Sequence, residues 1–166
     1  YRLTGSAFCV GLMISVSAVG WMWPQLLVGN LAETLQRKMP LYVAFAVFRS
    51  SVSAIMCVLV LVWAGSDWGL FWALFALMAA FSSGGGASII PFMDVVAKAV
   101  PQERLAMLWA YRRLFGGVLG FLMGLIVAYV LSERSGLGFP VNYGTLFVCS
   151  AAVCGIAYAL FSFVRE

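Results

Sequence analysis

Val28–Tyr42 reads VGNLAETLQRKMPLY. It crowds an acid, two amides, two bases and a proline into one short stretch, and the chain on either side of it is a long apolar run. Such a polar knot has a simple meaning. The chain leaves an apolar medium, turns in water, and re-enters.

The composition says that the apolar medium is lipid rather than a protein core. Hydrophobic residues make up 64% of the chain and charged ones only 10%, and the mean hydropathy is +1.03. A soluble domain carries roughly a quarter charged residues and about half apolar ones. Here too little polar surface exists to coat a water-facing globule. The class is therefore an all-α integral membrane protein, since helices satisfy their own backbone in lipid and a lone strand does not.

Missing residues exclude chemistry. The chain has no histidine, which removes His-ligated metals, Ser-His-Asp triads and imidazole relays. Cys9, Cys57, Cys149 and Cys154 all lie in apolar runs without C-x-x-C spacing, and they read as small buried hydrophobes rather than a disulfide or metal site. No metal, cofactor or enzymatic activity is expected, and the net charge of +4 calls for no nucleic-acid partner. No charged n-region precedes the first apolar run at Tyr1, so it does not read as a signal peptide. The expectation is a piece of a longer protein.

A crossing helix needs about 20 mainly apolar residues. Five segments of residues 1–166 qualify and form one membrane domain: Ser6 to Thr34, Leu41 to Ala64, Trp68 to Ala97, Leu108 to Leu131, and Tyr143 to Val164. The connections RKMP, AGSDWG, VPQER and SERSGLGFPVN are short and rich in turn residues, so the spans alternate in direction. Arg37, Lys38, Lys98, Arg104, Arg112, Arg113 and Arg165 fall on one side, and only Arg2 and Arg134 on the other. Positive-inside bias predicts a multi-pass protein of the cell membrane, with its N-terminus outside and its C-terminus cytoplasmic. Trp63, Trp68 and Trp72 flank the outer turn and Trp109 lies near the inner side, where amphipathic rings favour the interface.

Polar residues inside the spans are the candidates for function. Pro24 is expected to kink or weaken the first span. Beside it, Gln25 reads either as a packing device bonded to a neighbouring helix or as the lining of a solute path. Arg49 stands nine residues beyond Pro40, about 13 Å along a helix and close to mid-membrane. Two placements fit it: an inward-facing charge with a partner, or a side chain snorkelling to the headgroups. The third span carries FSSGGGASIIPFMD, residues 81–94. Its glycines permit close backbone approach or local unwinding beside a cavity, and Ser82, Ser83 and Ser88 add polar groups there. Pro91 is expected to end or bend the span. The run lacks the G-K-[ST] ending of a phosphate loop.

Gly116, Gly120 and Gly124 recur every fourth residue of the fourth span, a small-xxx-small packing face. On the inner side Gly29 and Glu33 share a helix face one turn apart. Arg37 and Lys38 follow them, and the other inner loop supplies Asp94, Lys98, Glu103, Arg104, Arg112 and Arg113. These charges fit two roles: contacts with headgroups that set topology, or an ion-pair cluster that holds helices in one state and breaks in another.

At these residues the chain resembles the major facilitator superfamily. That family's loop signature is approximately G-x-L-x-D-[RK]-x-G-R-[RK]. Here GNLAETLQRK agrees at Gly29, Leu31, Arg37 and Lys38, with Glu33 for the aspartate, and departs at Thr34 and Gln36. The glycine run is similar to the family's fourth helix, R-x-x-x-G-x-G-A-A. Gly84, Gly86 and Ala87 agree, and Ala80 stands where the arginine would, so the proton-coupling role of that arginine does not transfer. GGVLGFLMG has the glycines of the family's antiporter motif without its proline, so drug/proton antiport gains no support.

The resemblance implies helices two to six of the first six-helix half, with the first helix and the second half as missing partners alongside the lipid bilayer. It implies a secondary transporter that moves a small solute between two bundles. An inner gate would comprise Gly29, Glu33, Arg37, Lys38, Asp94, Arg104 and Arg113. Gln25, Ser82, Ser83, Gly84 and Gly86 would lie on the translocation path, with Arg49 as an intramembrane charge on a peripheral span. The competing expectations are a non-transporting scaffold or assembly subunit, and a membrane-embedded enzyme using Glu33, Asp94 and Glu103 at the headgroup level.

Overall fold

A computed structural model of the chain describes residues 4–63, 66–138 and 140–164. It contains the helices α1 (Ala7–Thr34), α2 (Met39–Val62), α3 (Asp67–Ala99), α4 (Gln102–Leu131) and α5 (Val141–Ser162), with a short 3-10 turn at Glu133–Ser135. All five helices are long and apolar enough to cross a membrane. Arg2 and Arg165, two of the charges used for orientation, and Ala64, the expected end of the second span, lie outside the described residues.

Local chemistry sets the ends. Pro40 occupies the first turn of α2, where its missing N–H costs nothing. Ser66 caps α3: its Oγ accepts the Gly69 N–H at 3.2 Å, and Asp67 in the first turn complements the helix dipole. The Trp63 indole donates to the Ser66 carbonyl at 3.1 Å, which ties the end of α2 to the start of α3. After the 3-10 turn, Gly136 takes the left-handed conformation at φ +67°, which glycine adopts without steric cost.

Two expectations need amendment. α4 begins at Gln102, six residues before the apolar run starts at Leu108, because hydropathy detects the length of apolar chain while the helix extends into its polar first turns. Pro91 does not end α3, which continues to Ala99. A proline removes one hydrogen bond, and Pro91 is itself fully buried, so the packed turns on either side carry the helix through. Pro24 likewise sits inside an unbroken α1.

α3 is the hub. It packs against α1 on one side and α2 on another, and α2 also packs against α5. Val52, Met56 and Val60 of α2 meet Leu70 and Leu74 of α3 in the apolar core, at the i, i+4 spacing that makes one helix face. α1 buries Gly20, Pro24, Val28 and Ala32, again four apart. α4 touches the rest only lightly, and none of its residues is buried. Among the cysteines Cys9 is buried, but Cys149 is exposed, on a helix whose outer surface would face lipid rather than protein.

Candidate functional site

The site begins with three successive glycines, Gly84, Gly85 and Gly86 of α3, all buried. Neighbouring helix residues point about 100° apart, so three in a row open most of a helix circumference to neighbours. Gly84 faces α2, Gly86 faces α1, and Gly85 meets both. A side chain at Gly84 would stand 2.7 Å from Cγ of Arg49 and 2.9 Å from the Phe48 ring. At Gly85 it would stand 2.6 Å from the Trp21 ring and 3.3 Å from the Arg49 guanidinium carbon. At Gly86 it would collide with the backbone carbonyl of Trp21.

The α1–α3 seam is therefore backbone on backbone. Gly20 repeats the arrangement from the other side, 2.9 Å from Cβ of Ser82 and 3.3 Å from the Ala79 carbonyl measured from an added Cβ. Hydrogen bonds cross the seam from Trp23 Nε1 to Ser83 Oγ at 3.1 Å and from Ser82 Oγ to Ser17 Oγ at 3.3 Å. Ser88 turns back to the Gly85 carbonyl at 2.9 Å. Lipid tails are as apolar as the side chains, so seams of this kind hold through close packing and such bonds.

The residues expected on a path divide among three environments. Ser83 and Gly84 line a nearly all-apolar cavity of about 400 Å³ between α1, α2 and α3, together with Trp23, Pro24, Phe45 and Phe48. Ser82 and Gly86 are buried in the seam. The Gln25 amide donates to the Trp21 carbonyl of its own helix at 2.8 Å, so its polarity is spent within α1, one turn back.

Arg49 is turned into the bundle. Its guanidinium carbon lies 4.3 Å from the centre of the Phe81 ring on α3 and 5.6 Å from that of Tyr158 on α5. Its Nε is buried without a hydrogen-bond partner. Each cation–π contact offsets about 0.5–2 kcal/mol, whereas an arginine at the centre of a membrane helix costs roughly 3 kcal/mol or more. The two contacts act on the faces of the guanidinium and leave its Nε donor unsatisfied.

On the membrane face formed by the α1–α2 and α3–α4 turns, Lys38 meets Asp94 at 3.9 Å, joining the first turn to α3. The Lys38 ammonium also donates to the Ala32 carbonyl at the end of α1. Lys38 is buried, while the Asp94 side chain is 46% exposed. Glu33, Arg37, Arg104 and Arg113 are exposed, and Gly29 faces Ile90 of α3, 3.6 Å from an added Cβ. Of the seven residues expected at an inner gate, Lys38 and Asp94 are the two that meet as an ion pair. Phe161 packs tilted against Tyr42 and Phe92, with ring centres 4.7 and 4.9 Å apart, and Arg112 lies 4.9 Å from the Phe92 ring.

Sequence reasoning missed Trp21, Phe81 and Tyr158. Trp21 lies within a stretch whose proline drew attention, but Phe81 and Tyr158 look like any other lipid-facing aromatics. Gly116, Gly120 and Gly124, the expected packing face, are exposed, and a Cβ added at any of them meets nothing within 4 Å. Among the described residues no three His, Cys, Asp or Glu side chains gather as metal ligands would. The chain matches no protein-family model, no curated protein and no solved structure.

Proposed function

We propose that this chain is part of a secondary active transporter of the major facilitator kind, which moves a small solute across a cell membrane by alternating access. The face bearing Lys38 and Asp94 is cytoplasmic in this reading, as the bias of basic residues supports. The observation that carries it is the Lys38–Asp94 pair. It links the signature-like turn after α1 to the far end of the glycine-rich helix, where a gate has to close. The backbone seam between α1 and α3 beneath it holds those two helices in register.

The gate is weak enough to open. An ion pair with one half-exposed partner contributes at most about 1 kcal/mol, which is the scale that biases two conformations separated by a few kcal/mol. Its two partners are not equivalent. Removing Asp94 takes the carboxylate from a buried ammonium, whereas removing Lys38 leaves an acid already half in water.

A cysteine placed at Val28, buried in α1 below the pair, reports opening in the full-length protein stripped of its native cysteines. Asp94→Asn is expected to raise its labelling rate by about fivefold, and Lys38→Met by less. Equal, unchanged rates in both variants dispose of the gate. Transport itself is tested by uptake of a solute panel into proteoliposomes, with and without a proton gradient. Folded full-length protein that moves no solute refutes the transporter reading.

A further inference from the structure

Arg49 carries a charge that no carboxylate among the described residues balances. A guanidinium cannot shed its proton in a protein, so burial leaves it charged. Among the described acids, Glu33, Asp67, Glu103 and Glu133 lie within two residues of a helix end and Asp94 lies five residues before the end of α3. Arg49 lies ten residues into α2, about 15 Å along the helix and half the hydrocarbon thickness. Among the described residues no carboxylate pairs with it.

The surroundings are built for this side chain. Gly84 makes room for its stem and Gly85 for its head beside the Trp21 ring, while Phe81 and Tyr158 present ring faces. Aromatic faces act on the guanidinium as a whole, but its five N–H donors lie in its own plane. One of those donors is unanswered: Nε is buried without a hydrogen-bond partner. Tyr158 is the described neighbour that hydrogen-bonds the guanidinium, and it is neutral, so it supplies no counter-charge.

We infer that Arg49 is an oxyanion-binding site at mid-membrane, holding a carboxylate or phosphate group on its N–H fork. The planar fork matches two oxygens of such a group, which a lone halide or a neutral polar group does not supply. Two sources carry this chemistry: an anionic solute, or an acidic side chain of another helix in the full-length protein. The first source rests on the transport reading above; the second stands without it.

The test uses the full-length protein in a neutral detergent, where no gradient or transport is involved. Thermal midpoint and tryptophan fluorescence are followed during titration with sodium succinate and sodium phosphate against sodium chloride of equal ionic strength. With a solute source, succinate or phosphate raises the midpoint saturably and changes the fluorescence. Trp21→Phe removes most of the fluorescence change and keeps the midpoint shift. Arg49→Gln loses both responses, and Arg49→Lys, which keeps the charge without the fork, binds at least tenfold more weakly. Arg49→Lys also carries the test if Arg49→Gln does not fold.

With a protein source, neither anion acts on the wild type. Arg49→Gln then lowers the midpoint, and a single Asp→Asn or Glu→Gln elsewhere in the protein restores it. The inference is overturned if Arg49→Gln keeps the wild-type midpoint with no anion response in either protein, or if it responds to the anions as the wild type does. Binding in detergent without uptake in proteoliposomes would remove the transport reading and leave the oxyanion site standing.

Discussion

α3 and α4 both carry glycines where a membrane helix has no intrinsic need of them, and they put them to opposite uses. On α3, Gly84, Gly85 and Gly86 are enclosed by Arg49, Phe48, Trp21 and the α1 backbone. On α4, Gly116, Gly120 and Gly124 look out on open space, on a helix with no buried residue. The sequence pattern offers both sets for close packing, the second as a smooth stripe spaced by four and the first as a run that permits backbone approach or unwinding. The difference teaches that spacing describes one helix, whereas packing needs two. The consecutive run is useful because two helices, α1 and α2, approach it from different sides.

Substitutions can break or sharpen this contrast. The largest effect is expected at Gly86→Ala, because the added methyl meets backbone on the facing helix and no side chain can rotate away. Over-packing of this kind costs about 3 kcal/mol, read as a loss in the midpoint of denaturation by SDS in mixed micelles. A loss below about 1 kcal/mol would mean that the seam has slack, and the contrast with α4 would weaken.

A smaller effect is expected at Gly144→Ala on α5. There the added methyl meets the side chain of Leu61, which has other rotamers available, so a cost of about 1 kcal/mol is expected. Unfolding of the α2–α5 contact by this one methyl would show that Leu61 is locked, making α5 as rigidly seated as α1. The smallest effect belongs to Gly120→Ala. With nothing within 4 Å, stability should change by less than about 0.5 kcal/mol, with any gain coming from the helix propensity of alanine. A loss of about 1 kcal/mol or more would show a covered stripe and erase the contrast.

How much of this was legible follows from what kind of physics each feature obeys. Crossing lipid is a property of one segment, so runs such as Leu41 to Ala64 located α2 to within about two residues of its start. The polar start of α4 was not legible by the same rule, since Gln102, Glu103 and Arg104 are helical without being apolar. Depth also belongs to one segment, and it was enough to mark Arg49 as a charge needing explanation. Its cradle was not legible, because Phe81 and Tyr158 come from two other helices. The charged face shows the same limit. Glu33 precedes Arg37 and Lys38 in the chain and looks like their natural partner, yet the acid that Lys38 meets is Asp94, brought there by the α1–α3 seam.

That seam has a thermal consequence. The stripe on α1 is Gly20, Pro24, Val28 and Ala32, and it meets a stretch of α3 made of serine, glycine and alanine. Glycine, alanine and proline have no rotamers to surrender when a contact forms. Few side chains beyond Trp21, Trp23 and the serines they meet are ordered when the two helices join. A joint of this make surrenders little side-chain entropy on forming, so its strength should vary little with temperature.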